Sequence, residues 1–416
     1  MIKQRGQSGW AISLADKTVR LPDLRANPDR YTRLLADAHA QKTAHCGCRE
    51  PMLPIVVRCR GARYHLACWP NEGPRHDPRC PFFHLAPALS GRQAYSDAAI
   101  HETATGTAIQ FAEPLTVHVG DTSSDQVLGD GSGPSKRRRS VGALGVLHHL
   151  WESARLNAWN ARQRHRTWPT VAEALGEQLA DTVVSGHRGN EAVYVVPPYR
   201  ADAAAANMER FDRFLGSLRR NATQIRRGLV LGELKAVRPT RYGVAYQLAH
   251  QSPQRQIFAA ATVDDNLRRR HPVALGQAGE RAGGRPIVLL YIERSPNGYA
   301  VALGGATMLT TPDYIPADSS YEIRMAGALT AAGRSYIKPV AYDQAEAVLP
   351  DFVLTDQPDA YVEVWGLPGR DFYEQRKARK LAHYQRHART LIEWDVAQPF
   401  PTIPPAPTTR TTQRWS

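Results

Sequence analysis

LPDFVLTDQPDAYVEVWG, residues 349–366, reads as two short apolar strands around a polar turn. Each strand carries a carboxylate. Asp351 follows Pro350 and opens the first strand; Glu363 lies inside the second, with eleven residues between the two. Side by side, the strands set both acids within reach of one cation. No basic residue stands next to either acid in sequence, so a cation between them is what would offset their repulsion. Mg²⁺ and Mn²⁺ take oxygen ligands of this kind. A cation so held polarises a phosphate and acidifies its bound water.

Around this pair, residues 318–396 run helix, three strands, helix, strand. SSYEIRMAGALTAAG is the first helix, with Ser319 or Ser320 as N-cap and Gly333 as stop. RSYIKPV, DFVL and YVEVW are the strands. A long helix runs from Arg370 to about His387, and TLIEWDV is the last strand. This αβββαβ order, with its Pro-Asp strand start and spaced acid, resembles the core of PD-(D/E)XK nucleases over about a fifth of the chain. The resemblance implies a metal-dependent phosphodiesterase in which Asp351 and Glu363 hold Mg²⁺ or Mn²⁺. It also implies an assisting acid on the first helix, where Glu322 stands, and a lysine two places after the second acid. That last place holds Trp365. In DFYEQRKARKLAHYQ, however, Tyr373, Lys377, Lys380 and Tyr384 share one helix face. Nuclease families with the lysine moved to this helix exist, and Lys380, or else Lys377, is expected to take the role. The alternative is a solvated basic helix whose tyrosines pack on the sheet.

All five cysteines fall in HCGCREPMLPIVVRCRGARYHLACWPNEGPRHDPRCPFFH, residues 45–84. An odd count and no apolar leader in MIKQRGQSGW argue against a disulfide framework. Zn²⁺ takes four tetrahedral ligands from two short loops. Cys46-Gly-Cys48 offers one loop and His76-Asp-Pro-Arg-Cys80 the other, its spacing suiting a helical turn. A hairpin of LPIVV and RYHLACW lies between them. Cys46, Cys48, His76 and Cys80 are the expected structural zinc site, with no position left open for catalysis. Cys59 and Cys68 lie inside strand-like runs and are expected to be small buried hydrophobes. His65 and His84 are spare.

Lys and Arg outnumber Asp and Glu by 53 to 39, a formal charge of +14 with a pI near 9.7. That excess fits a polyanion, nucleic acid and most naturally DNA, as partner. No apolar run of about 18 residues exists to span a membrane. Residues 1–44 read as a lead-in with one helix, PDRYTRLLADAHAQ, and 45–85 as the zinc module. Residues 86–140 hold one strand pair, TAIQFA with LTVHV, then a Gly/Ser/Asp-rich linker ending in the basic run Lys136 to Arg139. Residues 141–227 are helical, ending in a long basic helix, ANMERFDRFLGSLRRNATQIRR. They form either a winged-helix-like unit, with Arg155, Arg162, Arg164 and Arg166 facing phosphate, or a helical spacer. Residues 228–317 are a β-rich connector of two hairpins, in which Glu233 and Lys235 read as a solvated strand face. Residues 397–416 read as a disordered Pro/Thr-rich tail.

CGC, HLACWPNEGPRHDPRC, LGVLHHLWESARLNAW, LPDFVL and YVEVWG together resemble an uncharacterised bacterial family carried on plasmids and integrating conjugative elements. The likeness extends over most of the chain, to about residue 400. That family usually has a basic residue where Cys68 stands, which leaves Cys68 out of the metal set. The resemblance implies a cytoplasmic protein linked to mobile DNA. The expected molecule is thus a multidomain α+β protein with an N-terminal zinc module, a helical middle, a β-rich connector and a C-terminal PD-(D/E)XK-like domain. Its expected function is metal-dependent cleavage of DNA. The alternatives are a non-catalytic nucleic-acid-binding protein that keeps the nuclease fold as scaffold, and a zinc-stabilised interaction hub of a conjugation complex.

Overall fold

The computed structural model describes residues 10–60, 63–118, 139–163, 165–342, 349–366 and 371–407. Most of the expected linker, with Lys136, and the expected phosphate contact Arg164 lie outside the described residues. The structure is a mixed α/β one, divided into two compact units: residues up to 88 with 101–107, and 89–100 with everything from 108 onward. Among the described residues, no helix is long and apolar enough to cross a membrane.

The smaller unit is built on a five-stranded sheet in the order Lys17–Arg20, Ala11–Leu14, Ala44–Cys46, Leu53–Arg60, Arg63–Cys68. All neighbours are antiparallel. Ile12 and Leu14 point to the same face, as alternation along a strand requires. They pack there with Leu21, Leu24, Leu35 and Ala38 of the two following helices. Residues 10–44 are therefore no mere lead-in: they supply two strands and two helices of the unit's core.

The larger unit centres on a seven-stranded sheet. Its long strands are Gly228–Thr240, Gly243–Leu248, Arg285–Arg294 and Ala300–Thr310, paired as the two expected hairpins. The helices Ala143–Ser153, Trp168–Ala180 and Ala204–Ser217 pack onto this sheet. Trp151, Trp168, Phe211, Leu229 and Leu289 share one core. The sheet is thus the centre of the unit rather than a connector, and the helices do not stand alone. Arg166 is buried, donating to the carbonyls of Leu156 and Ala158, so it faces no phosphate. The basic helix stops at Ser217, and Gln224–Arg226 instead pairs with Thr116–His118 as a strand, which displaces the expected TAIQFA–LTVHV pair. Glu233 is no solvated residue either; it accepts from Arg285 at 3.0 Å and from the Tyr314 hydroxyl at 2.8 Å.

The C-terminal part of this unit follows the expected element order. Ser319 caps the helix Ser320–Ala331, its hydroxyl accepting from Glu322 N–H at 3.1 Å. Gly333, at φ +67°, ends that helix in the left-handed conformation that glycine tolerates. Tyr336–Ile337, Phe352–Leu354 and Ala360–Trp365 form an antiparallel meander. The helix Asp371–Arg386 then carries the chain across, so that Thr390–Asp395 returns parallel to Ala360–Trp365. Met325, Leu329, Tyr336, Phe352, Val362 and Trp394 fill the core beneath.

Two expected boundaries move. Ala158–Trp159 leaves the helical segment to pair with Tyr336–Ile337 as the fifth strand of this sheet. Residues 397–407 pack rather than trail away: Phe400 lies against Trp394 at 4.7 Å between ring centres. Fully buried Arg334 donates to both oxygens of Asp356 and, at 3.0 Å, to the carbonyl of Pro404. Replacing Arg334 by alanine leaves Asp356 without its charge partner and releases Pro404. We expect a loss of about 3 kcal/mol in urea unfolding followed by tryptophan fluorescence, with faster proteolysis after residue 397. An unchanged midpoint would show that other contacts hold this corner.

Candidate metal centre and acidic site

Strand pairing in the smaller unit brings Ile12 opposite Cys46, and Gly47 N–H donates to Ala11 O at 2.8 Å. A Cβ at Gly47 would stand 3.1 Å from that same oxygen, so glycine lets the Cys46–Cys48 loop lie close to its neighbour strand. His76 follows the 3₁₀ turn Gly73–Arg75, and a bond of 2.7 Å from Cys80 N–H to Asp77 O closes the second loop. That loop is a turn, not the expected helical turn. Cys46 Sγ lies 3.6 Å from Cys80 Sγ, and His76 Nδ1 lies 3.1 Å from Cys48 Sγ and 3.7 Å from Cys80 Sγ. All four donor atoms fall within 4.8 Å of one another. Sulfurs around a tetrahedral zinc stand about 3.8 Å apart, given Zn–S bonds of about 2.3 Å. A disulfide would need about 2.05 Å. The donor set and its spacing therefore fit a metal such as zinc.

The four residues are buried. Hydrogen bonding with Cys48 pushes the Cys46 thiol up to about 12, while bonding with Cys46 pushes Cys80 up and pulls Cys48 down. Three crowded thiols thus cannot all ionise by themselves, whereas a bound Zn²⁺ would hold all three as thiolates. Phe82 N–H donates to Cys80 Sγ at 3.5 Å. Cys59 is exposed and Cys68 half-buried, its thiol donating to Trp69 O at 3.3 Å, so neither is the buried hydrophobe expected. Cys59, Cys68, His65 and His84 do not belong to the cluster.

In the larger unit, four acids and two lysines gather on the C-terminal sheet. Val364 N–H donates to Asp351 Oδ2 at 2.6 Å, fixing Asp351 beside the third strand. Glu363, only 1% exposed, accepts from Lys380 Nζ at 2.7 Å through Oε2 and from the Tyr384 hydroxyl through Oε1. Lys380 and Tyr384 are one turn apart on the long helix, so both reach the same carboxylate. Glu322, on the capped helix, is buried with Oε2 at 2.7 Å from Lys338 Nζ. Lys338 immediately follows the first strand. Its amine also lies 2.7 Å from Asp318 Oδ2 and 4.0 Å from Asp351 Oδ1. Asp318 is the solvent-facing member, its side chain 73% exposed.

Burial, reinforced by the charge of Asp351, pushes Glu363 up to about 7 against the pull of Lys380. Burial likewise pushes Glu322 up to about 8, although Lys338 opposes it. Burial disfavours the Lys338 ammonium, but Asp318, Glu322 and Asp351 outweigh that and hold it charged well above the ordinary range. Burial and Glu363 keep the Tyr384 phenol protonated.

Glu363 and Lys380 thus pair directly, while Asp351 and Glu322 both face Lys338. Lys377 pairs elsewhere; its amine lies 3.5 Å from Asp395 and 5.1 Å from the centre of the Trp365 ring. Trp365 donates its indole N–H to Glu393 at 3.1 Å. The Tyr373 side chain lies outside the described residues. Sequence reasoning passed over Asp318 and Lys338; the amine it expected beside the acid pair was that of Lys380 or Lys377. The signal for Lys338 was a single lysine at the end of an apolar strand, in RSYIKPV. Asp318 carried none beyond its place before the Ser319 cap.

Residues 20–397 match a family model described as a protein of unknown function, DUF1173. No curated protein and no solved structure gives a match.

The purified chain is expected to carry about one zinc by elemental analysis. Cys80→Ser should lose it and lower the melting temperature, while Cys59→Ser should keep it. Full zinc content in Cys80→Ser would overturn this ligand set.

Proposed function

The chain belongs to the DUF1173 family, and we propose that its C-terminal region is a PD-(D/E)XK-type nuclease that cuts DNA with Mg²⁺ or Mn²⁺ at Asp351 and Glu363. The observation that carries this reading is the pairing of Glu363 with the helix-borne Lys380, on the strand next to the one that Asp351 opens. The antiparallel meander followed by a helix and a parallel strand supports it.

Four carboxylates here face two ammonium groups. Their negative excess is relieved by protons on Glu322 and Glu363 near neutrality, and a divalent cation offers the same relief. When bound, the cation would polarise the scissile phosphate and acidify its water. Asp351 and Glu363 would hold it. Lys380 keeps Glu363 in place and supplies positive charge beside the reacting phosphate. Tyr384 fixes the second oxygen of Glu363. Asp318 leaves one side of the cluster open to solvent, in contrast to the closed metal centre of the smaller unit, which is structural in this reading. The +14 charge supports a nucleic-acid partner. A role in mobile-element DNA rests on the whole-chain resemblance.

A second reading is favoured by the donors already present. Glu363 is bonded by Lys380 and Tyr384, and Asp351 by the Val364 amide. Such pairing would also hold the fold of a scaffold that binds nucleic acid without cutting it.

Cleavage of single- and double-stranded DNA with Mg²⁺ or Mn²⁺ separates the two. Asp351→Ala and Glu363→Ala should lose about 100-fold or more, with Lys380→Ala falling alongside and Lys377→Ala near wild type. DNA binding should survive in all four and weaken steeply with salt. A wild-type chain that cuts nothing with either metal leaves the scaffold reading. Stability offers a further test. Glu363 and Glu322 protonate at about 7 and about 8, above the ordinary 4.5. The stability that their protons contribute is full below the ordinary value and is lost as pH rises through about 7 to 8. Mn²⁺ replacing those protons should therefore raise the melting temperature more at about pH 8.5 than at about pH 6. Equal shifts would place the cation elsewhere.

A further inference from the structure

We infer that Lys338 is a resident cation of the acidic site, its ammonium occupying the place of a second divalent ion and limiting the site to one. The inference rests on the nuclease reading for the first ion, but its own evidence is the seat of the amine.

Lys338 Nζ is held at 2.7 Å by Asp318, at 2.7 Å by Glu322 and at 4.0 Å by Asp351. Three carboxylates from three separate elements surround it: the segment before the capped helix, that helix, and the start of the second strand. Its side chain is only 3% exposed, so it cannot serve as an ordinary surface contact to nucleic-acid phosphate. Its backbone is clamped as well. Lys338 N–H donates to Asn157 O at 2.8 Å, and Asn157 Nδ2 donates back to Lys338 O at 2.9 Å. The Phe352 ring, centred 5.7 Å from Nζ, closes the apolar side. The amine is therefore placed by the fold and does not wander in from solvent.

Asp351 connects this seat to the proposed catalytic ion. Its Oδ2 is turned to the third strand, at Val364 N–H, and its Oδ1 to Lys338. In two-ion phosphodiesterase sites the cations stand about 3.5–4 Å apart. A carboxylate between Lys338 and Glu363 is where such a pair would share a ligand. Lys338 supplies positive charge there permanently, but an ammonium cannot acidify water as a metal does. Its part is to neutralise Asp318 and Asp351 and to hold Glu322 in place, which makes it a positioning residue.

The experiment counts Mn²⁺ bound per zinc-loaded full-length chain, by calorimetric titration with paramagnetic resonance of free Mn²⁺. The variants are Lys338→Met, which keeps the apolar stem and drops the ammonium, and Lys338→Met with Glu322→Gln. Wild type should bind about one Mn²⁺ and Lys338→Met about two, with the second lost again in the double variant. If wild type binds none and Lys338→Met binds one, the ammonium still stands for a divalent ion, but the nuclease reading fails. Equal counts in wild type and Lys338→Met overturn the inference, whatever the count is. Should Lys338→Met fail to fold without metal, Mn²⁺ must restore its circular dichroism. A chain that stays unfolded in Mn²⁺ also overturns it.

Discussion

Burying like charges together is the constraint that the C-terminal architecture answers. Glu363, Glu322 and Lys338 are all nearly inaccessible to water, and an unpaired ion in such a place costs several kcal/mol. Each is paired by a residue from a different element. The capped helix presents Glu322, the end of the first strand Lys338, the start of the second Asp351, the middle of the third Glu363, and the crossover helix Lys380 with Tyr384. The sheet, its two helices and the added strand Ala158–Trp159 thus serve one electrostatic arrangement. Asn157, next to that added strand, holds the backbone of Lys338 from both sides.

The smaller unit solves a different problem. Its core is modest: short strands, two helices and few large side chains. Small cores of this kind gain much from a metal clip. Cys46 and Cys48 extend from a core strand, while His76 and Cys80 come from turns beside Phe82 of the same core. The four donor residues are buried there, whereas the acidic cluster meets solvent at Asp318. In the proposed reading, the first site serves stability and the second serves chemistry.

Local patterns were legible in the sequence; pairings across distance were not. The Cys46, Cys48, His76 and Cys80 set could be read because metal ligands cluster in short loops. The shared helix face of Lys380 and Tyr384 could be read because helical spacing is regular. Lys338 and its acids are separated by up to 20 residues of chain, and nothing local marks the meeting. Ala158–Trp159 is a two-residue strand, too short for any alternation to show. Ile12 and Leu14 in a four-residue strand gave as little, which hid the role of residues 10–44. Arg166 looked like a surface arginine, because sequence cannot show that two carbonyls wait for it in the interior.

The most direct measurement is anomalous diffraction from crystals of the zinc-loaded protein soaked in Mn²⁺, recorded at the manganese edge. A peak about 2.2 Å from a carboxylate oxygen of both Asp351 and Glu363 is expected, with Lys338 still seated between Asp318 and Glu322. Density that leaves the Asp351–Glu363 pair bare, with Lys380 and Tyr384 unmoved on Glu363 at saturating Mn²⁺, would contradict a metal-dependent site.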